Sequence, residues 1–225
     1  MKYIISILIA GLFFSSCTSN RTGEKTTMNP APKAVVIKNS TSPKKMSELS
    51  KAYFASGCFW CVEAIFESVE GVREAVSGYA GGTKEHPTYQ EVGGGLTDHT
   101  EAVEVYYDPE VVSYATLLEV YYGSHNPTTV NGQHPDFGTQ YRSMILYNNE
   151  AEKKAAQDFK NALDASGTYS APLATEIEPL TKFWVAEEYH QDYEKINPNN
   201  SYVRNVSVPR LNRFKAKFPQ LLKKE

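Results

Sequence analysis

Strand-like and helix-like segments alternate through residues 51–225, and this alternation limits the possible folds more than any other feature of the sequence. For example, Val103 and Val105 alternate with Glu104 and Tyr106, which is the two-residue period of a strand. Strands are predicted over residues 52–55, 72–79, 103–107, 141–147 and 174–177. Helices are predicted over residues 59–69, 114–122, 150–165 and 187–196. Alternation of this kind implies one domain with two layers, of the α/β or α+β class.

The connecting segments are less regular. The clearest helix, 150–165, places Ala155 and Phe159 on one stripe, as expected for a helix that packs against a core. Residues 78–95 are rich in glycine and are predicted to be dominated by loops. The tail 208–224 is basic and interrupted by proline, which predicts a solvated face.

The N-terminus has the pattern of a secretory signal peptide over residues 1–16. Lys2 provides a positive start, residues 4–14 are largely apolar, and small residues follow. The four residues that end at Cys17 resemble the lipobox of bacterial lipoproteins, which implies cleavage before Cys17 and attachment of lipid to it. An ordinary signal peptide, with Cys17 incidental, is the alternative. No apolar run reaches the roughly 18 residues of a spanning helix.

Residues 17–50 are predicted to form a lipidated cysteine followed by a disordered tether. The segment is rich in Ser, Thr, Asn, Pro and Lys, so it buries too little apolar surface to offset its ordering entropy. The expected location is therefore the bacterial cell envelope, with the domain lipid-anchored on a periplasmic face. Thr18 and Ser19 provide no retention aspartate after Cys17, which favours the outer membrane by analogy with lipoproteins.

Charge and histidine spacing exclude some function classes. Lys and Arg total 23 against 26 Asp and Glu, a net charge of −3, which argues against a binder of nucleic acid. The histidines lack the close spacing of metal ligands, so no metal is expected. They are His86, His99, His125, His134 and His190.

Cys58 and Cys61 lie where a predicted strand turns into a predicted helix. Free backbone N–H groups and the helix dipole favour a thiolate there, so we expect a lowered pKa for Cys58. Cysteines three residues apart on a helix are also close enough to bridge. On their own, the two cysteines fit a structural disulfide, inert core thiols, or a thioredoxin-like disulfide oxidoreductase.

The surrounding motifs separate these alternatives, because six of them follow one another in a fixed order. They are Gly57-Cys58-Phe59-Trp60, Gly78-Tyr79-Ala80-Gly81-Gly82, Pro87-Thr88-Tyr89-Gln90-Glu91-Val92, His99-Thr100-Glu101-Ala102-Val103, Tyr107-Asp108-Pro109 and Asp136-Phe137-Gly138-Thr139-Gln140-Tyr141-Arg142-Ser143. Together they resemble the A-type peptide methionine sulfoxide reductases over residues 52–200. The resemblance implies a ferredoxin-like two-layer plait, with a mixed, mostly antiparallel sheet covered by helices. It also implies reduction of the S epimer of methionine sulfoxide, free or in proteins.

The resemblance also implies roles for individual residues. Cys58 matches the thiolate that attacks the sulfoxide sulfur, and Glu101 matches the acid that protonates the oxygen. For Glu101 to donate a proton at neutral pH, burial must raise its pKa. Tyr89 and Tyr141 match tyrosines that hydrogen-bond the sulfoxide oxygen, and Asp136 matches a carboxylate near the substrate.

Phe59 and Trp60 match the apolar pocket for the substrate's methyl group. Attack by Cys58 leaves a sulfenic acid, and Cys61 is the only candidate within the chain for resolving it. We expect a Cys58–Cys61 disulfide, reduced by an external thioredoxin-like partner, with no bound cofactor and a monomeric protein. Direct reduction of the sulfenic acid by an external thiol, with Cys61 a core residue, is the rival hypothesis. Asn126 stands where the family usually has aspartate, so no role is assigned to it.

Overall fold

The computed structural model describes residues 45–224, in which helices cover a six-stranded sheet. The strands are β1 (Ser50–Ser56), β2 (Val72–Ala80), β3 (Thr100–Tyr107), β4 (Gly132–Gln133), β5 (Asp136–Phe137), β6 (Ser143–Tyr147), β7 (Glu176–Pro179) and β8 (Trp184–Val185). The helices are α1 (Phe59–Glu67), α2 (Tyr89–Gly93), α3 (Tyr114–Gly123), α4 (Glu150–Ala165), α5 (Tyr193–Ile196) and α6 (Val208–Lys217).

The main sheet has the strand order β7-β6-β1-β3-β2-β8. Only the β6–β7 pair is parallel, and the other neighbours are antiparallel. β4 and β5 form a separate hairpin. The predicted fold class, a mixed and mainly antiparallel sheet covered by helices, is therefore confirmed.

Side chains that alternate along β1 enter two apolar clusters, one on each face of the sheet. Phe54 packs on the helical side, where its ring lies 4.9 Å from that of Phe66 and 5.3 Å from that of Tyr121. Tyr53 and Ala55 pack on the other side. Burial of each large side chain contributes about 1.5–3 kcal/mol, so both faces of β1, an inner strand of the sheet, stabilise the fold.

Helix ends follow the sequence signals where those signals are local. α4 spans the residues predicted for it, and Asn149 caps its start by accepting from the Glu152 N–H. Ser113 caps α3 in the same way, through the Thr116 N–H. Gly71, with φ +85°, forms the turn between α1 and β2.

Two predictions near the C-terminus are wrong. Residues 187–196 do not form one helix, because Gln191 is extended and Asp192 is left-handed at φ +51°. The tail is not simply a solvated face, because Phe214 and Leu221 are buried in the core. The many basic residues of the tail favoured a prediction of solvent exposure, although these apolar side chains pack inward.

Three boundaries also differ from the prediction. Tyr141 lies in a 3₁₀ turn, Thr139–Tyr141, that precedes β6, because Gly138 at φ +141° turns the chain there. The glycine-rich loop contains α2. Met46–Glu48, inside the predicted tether, forms a 3₁₀ turn before β1.

The predicted signal peptide, Cys17 and the tether up to residue 44 lie outside the described residues. Within residues 45–224, no helix combines the length and the apolar character needed to cross a membrane.

Candidate active site

The turn between β1 and α1 places the two cysteines. Gly57 adopts φ +88°, and a Cβ on it would lie 2.8 Å from the Cβ of Gln133, so both the turn and the close approach favour glycine. Cys58 comes directly before the first residue of α1. Both cysteines are free thiols and buried, and they hydrogen-bond to each other. The Cys61 Sγ also hydrogen-bonds the Ser207 Oγ at 3.2 Å.

The expectation of a lowered pKa for Cys58 is wrong for this state of the protein. Burial raises the pKa of Cys58 well above its ordinary value and outweighs the helix terminus. The pKa of Cys61 is lowered to about 6, because it accepts a hydrogen bond from Cys58 and lies near the positive charge of Arg210. The pair therefore holds one negative charge at Cys61, and the Cys58 proton lies on the hydrogen bond between the sulfurs.

Glu101, in β3, is a buried carboxyl group beside this pair. Its Oε2 accepts a hydrogen bond at 3.0 Å from the backbone N–H of Phe59, the residue after Cys58. Burial, together with the negative charges of Asp136 and Cys61, raises the pKa of Glu101 to about 8. At neutral pH the side chain is therefore mostly protonated and can donate a proton.

The structure brings both candidate tyrosines to the same place. Tyr89 is the first residue of α2, and Tyr141 ends the 3₁₀ turn before β6. Burial raises the pKa of both, to about 12 for Tyr89, and the charges that Glu101 and Cys58 carry once they ionise add to the effect. Both hydroxyls therefore remain protonated hydrogen-bond donors near these two groups.

Asp136 and Tyr202 form a second side of the site. The Tyr202 hydroxyl donates to the Asp136 Oδ2, and its closeness to the two sulfurs lowers the pKa of both Cys58 and Cys61. Burial raises the pKa of Asp136. No motif singled out Tyr202, which is one of 15 tyrosines in the sequence.

Aromatic rings build the wall next to Cys58. The Phe59 ring lies 4.9 Å from that of His190, and Trp60 stacks on Tyr193 at 3.7 Å. The Trp60 Nε1–H donates to the His190 Nδ1 at 3.1 Å. His190 must then carry its own proton on Nε2, which is buried and has no partner among the described residues. His190 and Tyr193 lie in the segment 187–196, for which the sequence predicts one continuous helix. Because that prediction is wrong, the sequence did not indicate that these two side chains reach the wall.

The acidic group most able to hold a cation lies elsewhere. Glu63, Glu67 and Asp192 place their oxygens within 4.8 Å of one another. The Lys195 Nζ lies 2.5 Å from the Glu67 Oε2 and 2.6 Å from the Asp192 Oδ1. An ammonium group therefore already provides positive charge at this cluster.

The chain is similar to known proteins of a single family. Residues 50–222 match the family model described as "Peptide methionine sulfoxide reductase". The protein named peptide methionine sulfoxide reductase MsrA of Polynucleobacter asymbioticus is 41% identical over 184 residues, which cover 82% of this chain and 97% of that protein. MsrA 2 of Mesorhizobium japonicum is 47% identical over 171 residues, which cover 76% and 88%.

Solved structures give the same result. Mxr1 of Saccharomyces cerevisiae in its reduced form aligns with a TM-score of 0.65 at 33% identity, covering 73% of this chain and 94% of that one. Methionine sulfoxide reductase A of Corynebacterium diphtheriae aligns with a TM-score of 0.61 at 34% identity, covering 76% and 84%.

Proposed function

The chain belongs to the peptide methionine sulfoxide reductase family, and we propose that it reduces the S epimer of methionine sulfoxide by attack of Cys58 on the sulfoxide sulfur. One observation supports this mechanism most: a buried carboxyl group, Glu101, has a pKa raised to about 8 and hydrogen-bonds the residue after the nucleophile. Breaking an S–O bond requires that the oxygen gain protons, and a protonated carboxylic acid provides one.

Proton transfer within the cysteine pair starts the reaction. The Cys58 proton passes along the existing hydrogen bond to the Cys61 thiolate, which leaves the negative charge on Cys58. The Cys58 thiolate attacks sulfur while Glu101 protonates the oxygen and the Tyr89 and Tyr141 hydroxyls donate hydrogen bonds to it. The substrate S–O bond then breaks as the hydroxyl passes to the Cys58 sulfur, and the bond between the two sulfurs breaks as methionine leaves, so Cys58 becomes a sulfenic acid. Substrate sulfur is reduced by two electrons and Cys58 is oxidised by two.

Cys61 resolves the sulfenic acid. Its sulfur attacks the Cys58 sulfur, an S–S bond forms, and the hydroxyl leaves as water with the proton that Cys61 gives up. The low pKa of Cys61 and its hydrogen-bonding contact with Cys58 support this role. An external thioredoxin-like dithiol then supplies two electrons to the disulfide. Cys61→Ser tests the step: single-turnover reduction should persist while thioredoxin-supported turnover falls, and undiminished turnover would support direct reduction of the sulfenic acid instead.

Discrimination between the two epimers follows from two fixed sides of the site, and the family resemblance favours the S epimer. The aromatic wall of Phe59 and Trp60 contacts the methyl group of the substrate. Glu101, Tyr89 and Tyr141 donate to the sulfoxide oxygen on the other side. With these two positions fixed and Cys58 attacking along a third direction, the two configurations at sulfur place the rest of the methionine side chain differently. The hydrogen bond to His190 and the stacking on Tyr193 hold the Trp60 indole rigid, which supports discrimination.

One assay separates this function from its alternatives. Peptides containing either epimer of methionine sulfoxide are incubated with the enzyme and dithiothreitol, and the products are resolved by chromatography. Conversion of the S epimer alone is expected, with none for Cys58→Ser. Insulin reduction without sulfoxide reduction would indicate a disulfide oxidoreductase. Neither activity would indicate a module that only binds oxidised proteins.

We further propose that the enzyme repairs oxidised extracytoplasmic proteins as a monomer tethered by lipid on Cys17. The signal-peptide pattern and the residues before Cys17 support this location. Mass spectrometry of the mature protein is expected to show an acylated N-terminal Cys17. Cys17→Ser should release the protein from the membrane fraction, and unchanged fractionation would refute the anchor.

A further inference from the structure

A cavity of about 530 Å³ lies beside Cys61, and the proposed reaction at Cys58 leaves it unexplained. Cys61 lines it and Cys58 does not. Asp136 and Tyr202 form part of its wall, so the cavity adjoins the active site on the side of the second cysteine. Its volume lies within the range of about 300–1,000 Å³ that is typical of pockets for small organic molecules.

The cavity is cationic. Arg210, Arg213 and Lys217, all on α6, line it together, whereas Asp136 is the one carboxylate among its described lining residues. The charge of Arg210 acts on Cys61 and on Asp136. Arg213 forms no ion pair with a carboxylate within the described part of the chain.

We infer that this cavity admits a small thiol carrying carboxylates, which reduces the enzyme by attack on Cys61 as a second route beside a protein dithiol. The inference rests on the Cys58–Cys61 disulfide of the proposed function. Cationic side chains at the entrance of a cleft concentrate anionic ligands and raise their association rates about 10- to 1,000-fold. The anion is therefore drawn to the wall that contains Cys61.

The chemistry balances with two thiols. The first thiolate attacks the Cys61 Sγ, the Cys58–Cys61 bond breaks, and Cys58 leaves as a thiolate while the new disulfide joins the thiol to Cys61. A second thiolate attacks the sulfur of the bound thiol, which releases the small-molecule disulfide and the Cys61 thiolate. Two electrons pass from the two thiols to the enzyme.

The test compares thiols of different charge on enzyme that one turnover has oxidised. Mercaptosuccinate is the anionic thiol, cysteamine the cationic one and dithiothreitol the neutral one. Each rate of enzyme reduction is divided by the same thiol's rate with hydroxyethyl disulfide, which removes intrinsic reactivity. We expect the corrected rate for mercaptosuccinate to exceed that for cysteamine by about tenfold and to fall as salt is added.

Matched double variants locate the effect. Arg213→Gln with Lys217→Gln should abolish the preference for mercaptosuccinate and leave dithiothreitol unaffected. Arg204→Gln with Lys215→Gln removes the same charge from exposed positions outside the cavity and should keep the preference. Equal corrected rates for the three thiols, or an equal loss in both double variants, would overturn the inference.

A second measurement is independent of the proposed function. Succinate, which has no thiol, should slow alkylation of Cys61 in the reduced wild-type enzyme but not in the Arg213→Gln, Lys217→Gln variant. No protection of Cys61 in the wild type would contradict the anion site. Failure of the epimer assay above, with protection intact, would instead refute the proposed function alone.

Discussion

Replacing Glu101 with Gln removes the proposed proton donor while preserving the shape of the side chain. The amide oxygen can still accept the hydrogen bond from the Phe59 N–H that the carboxyl group accepts at 3.0 Å. Loss of a general acid slows the chemical step by about 10²- to 10⁴-fold. We expect a single-turnover rate lowered by that factor, measured by rapid quench with a peptide containing the S epimer, with little change in substrate affinity.

The pH dependence of the reaction rate also tests whether Glu101 is the proton donor. Because the pKa of Glu101 is about 8, the wild-type rate at subsaturating substrate should fall about tenfold for each pH unit above that value. Below it, the rate should rise through a lower limb near the pKa of about 6 at which the cysteine pair ionises. In Glu101→Gln the upper limb should be absent, because no carboxyl group remains to lose its proton.

The free energy of unfolding should also depend on pH because of Glu101, which gives a second way to measure its raised pKa. The pKa of Glu101 is raised from 4.5 to about 8 in the folded protein, so the folded state binds the proton more tightly than the unfolded state. That contribution is complete below the unfolded pKa and is lost as pH rises through the folded one. Between about pH 5 and 8, at about 1.4 kcal/mol per unit, the loss is about 4 kcal/mol. Glu101→Gln should therefore lose about 4 kcal/mol less than wild type over this range in urea titrations.

Glu63 provides the matched control. It is a buried carboxyl group whose pKa is also raised to about 8 by burial, but its hydrogen-bond partners are the Ser77 hydroxyl and the Asp192 N–H, not a group next to Cys58. Glu63→Gln should change stability against pH as Glu101→Gln does, yet keep the upper limb of the rate profile. The assignment is refuted if Glu101→Gln reacts within about threefold of wild type, or if Glu63→Gln is the variant that loses the limb.

Two further variants test other parts of the structure. Tyr202→Phe removes a hydroxyl that lowers the pKa of both cysteines, and an ordinary hydrogen bond is worth about 0.5–1.5 kcal/mol, so the thiolate absorbance of the cysteine pair should appear at a pH up to about 1 unit higher. An unchanged titration would contradict the contact. Phe214→Ala should lower the free energy of unfolding by about 3–5 kcal/mol because the ring is buried in the core, whereas Lys215→Ala on the exposed side of α6 should change it by less than about 0.5 kcal/mol. Equal effects of these two substitutions in urea titrations would show that the tail does not pack.

The parts of the fold that the sequence predicts correctly are those with local causes. α4 carries an amphipathic stripe and a capping asparagine within its own residues, so its bounds follow from the pattern alone. The segment 187–196 also carries apolar residues at helical spacing. There a long-range contact determines the backbone, because the Gln191 side chain bonds the backbone of Ser77 and holds the chain extended.

The same distinction holds for the candidate site. Cys58, Glu101, Tyr89, Tyr141 and Asp136 lie in motifs that identify them individually, and the structure brings them together. Tyr202, Arg210 and Ser207 carry no motif, because they reach the cysteines only when the C-terminal segment packs on α1. The bond from Cys61 to Ser207 spans 146 residues of sequence.

The pKa of Cys58 shows a further limit of local reasoning. A helix start predicts a lowered value, but the extent of burial and the identity of the neighbouring thiolate depend on tertiary packing. The negative charge of the reduced pair therefore lies at Cys61, next to Arg210.

One measurement tests the central claim most directly. Reduced enzyme is mixed with one equivalent of a peptide carrying the S epimer, without reductant, and the products are mapped by mass spectrometry. The proposed mechanism predicts one methionine formed per enzyme and a disulfide between Cys58 and Cys61. Methionine formed while both cysteines remain thiols, or a sulfoxide left intact by the reduced enzyme, would contradict it.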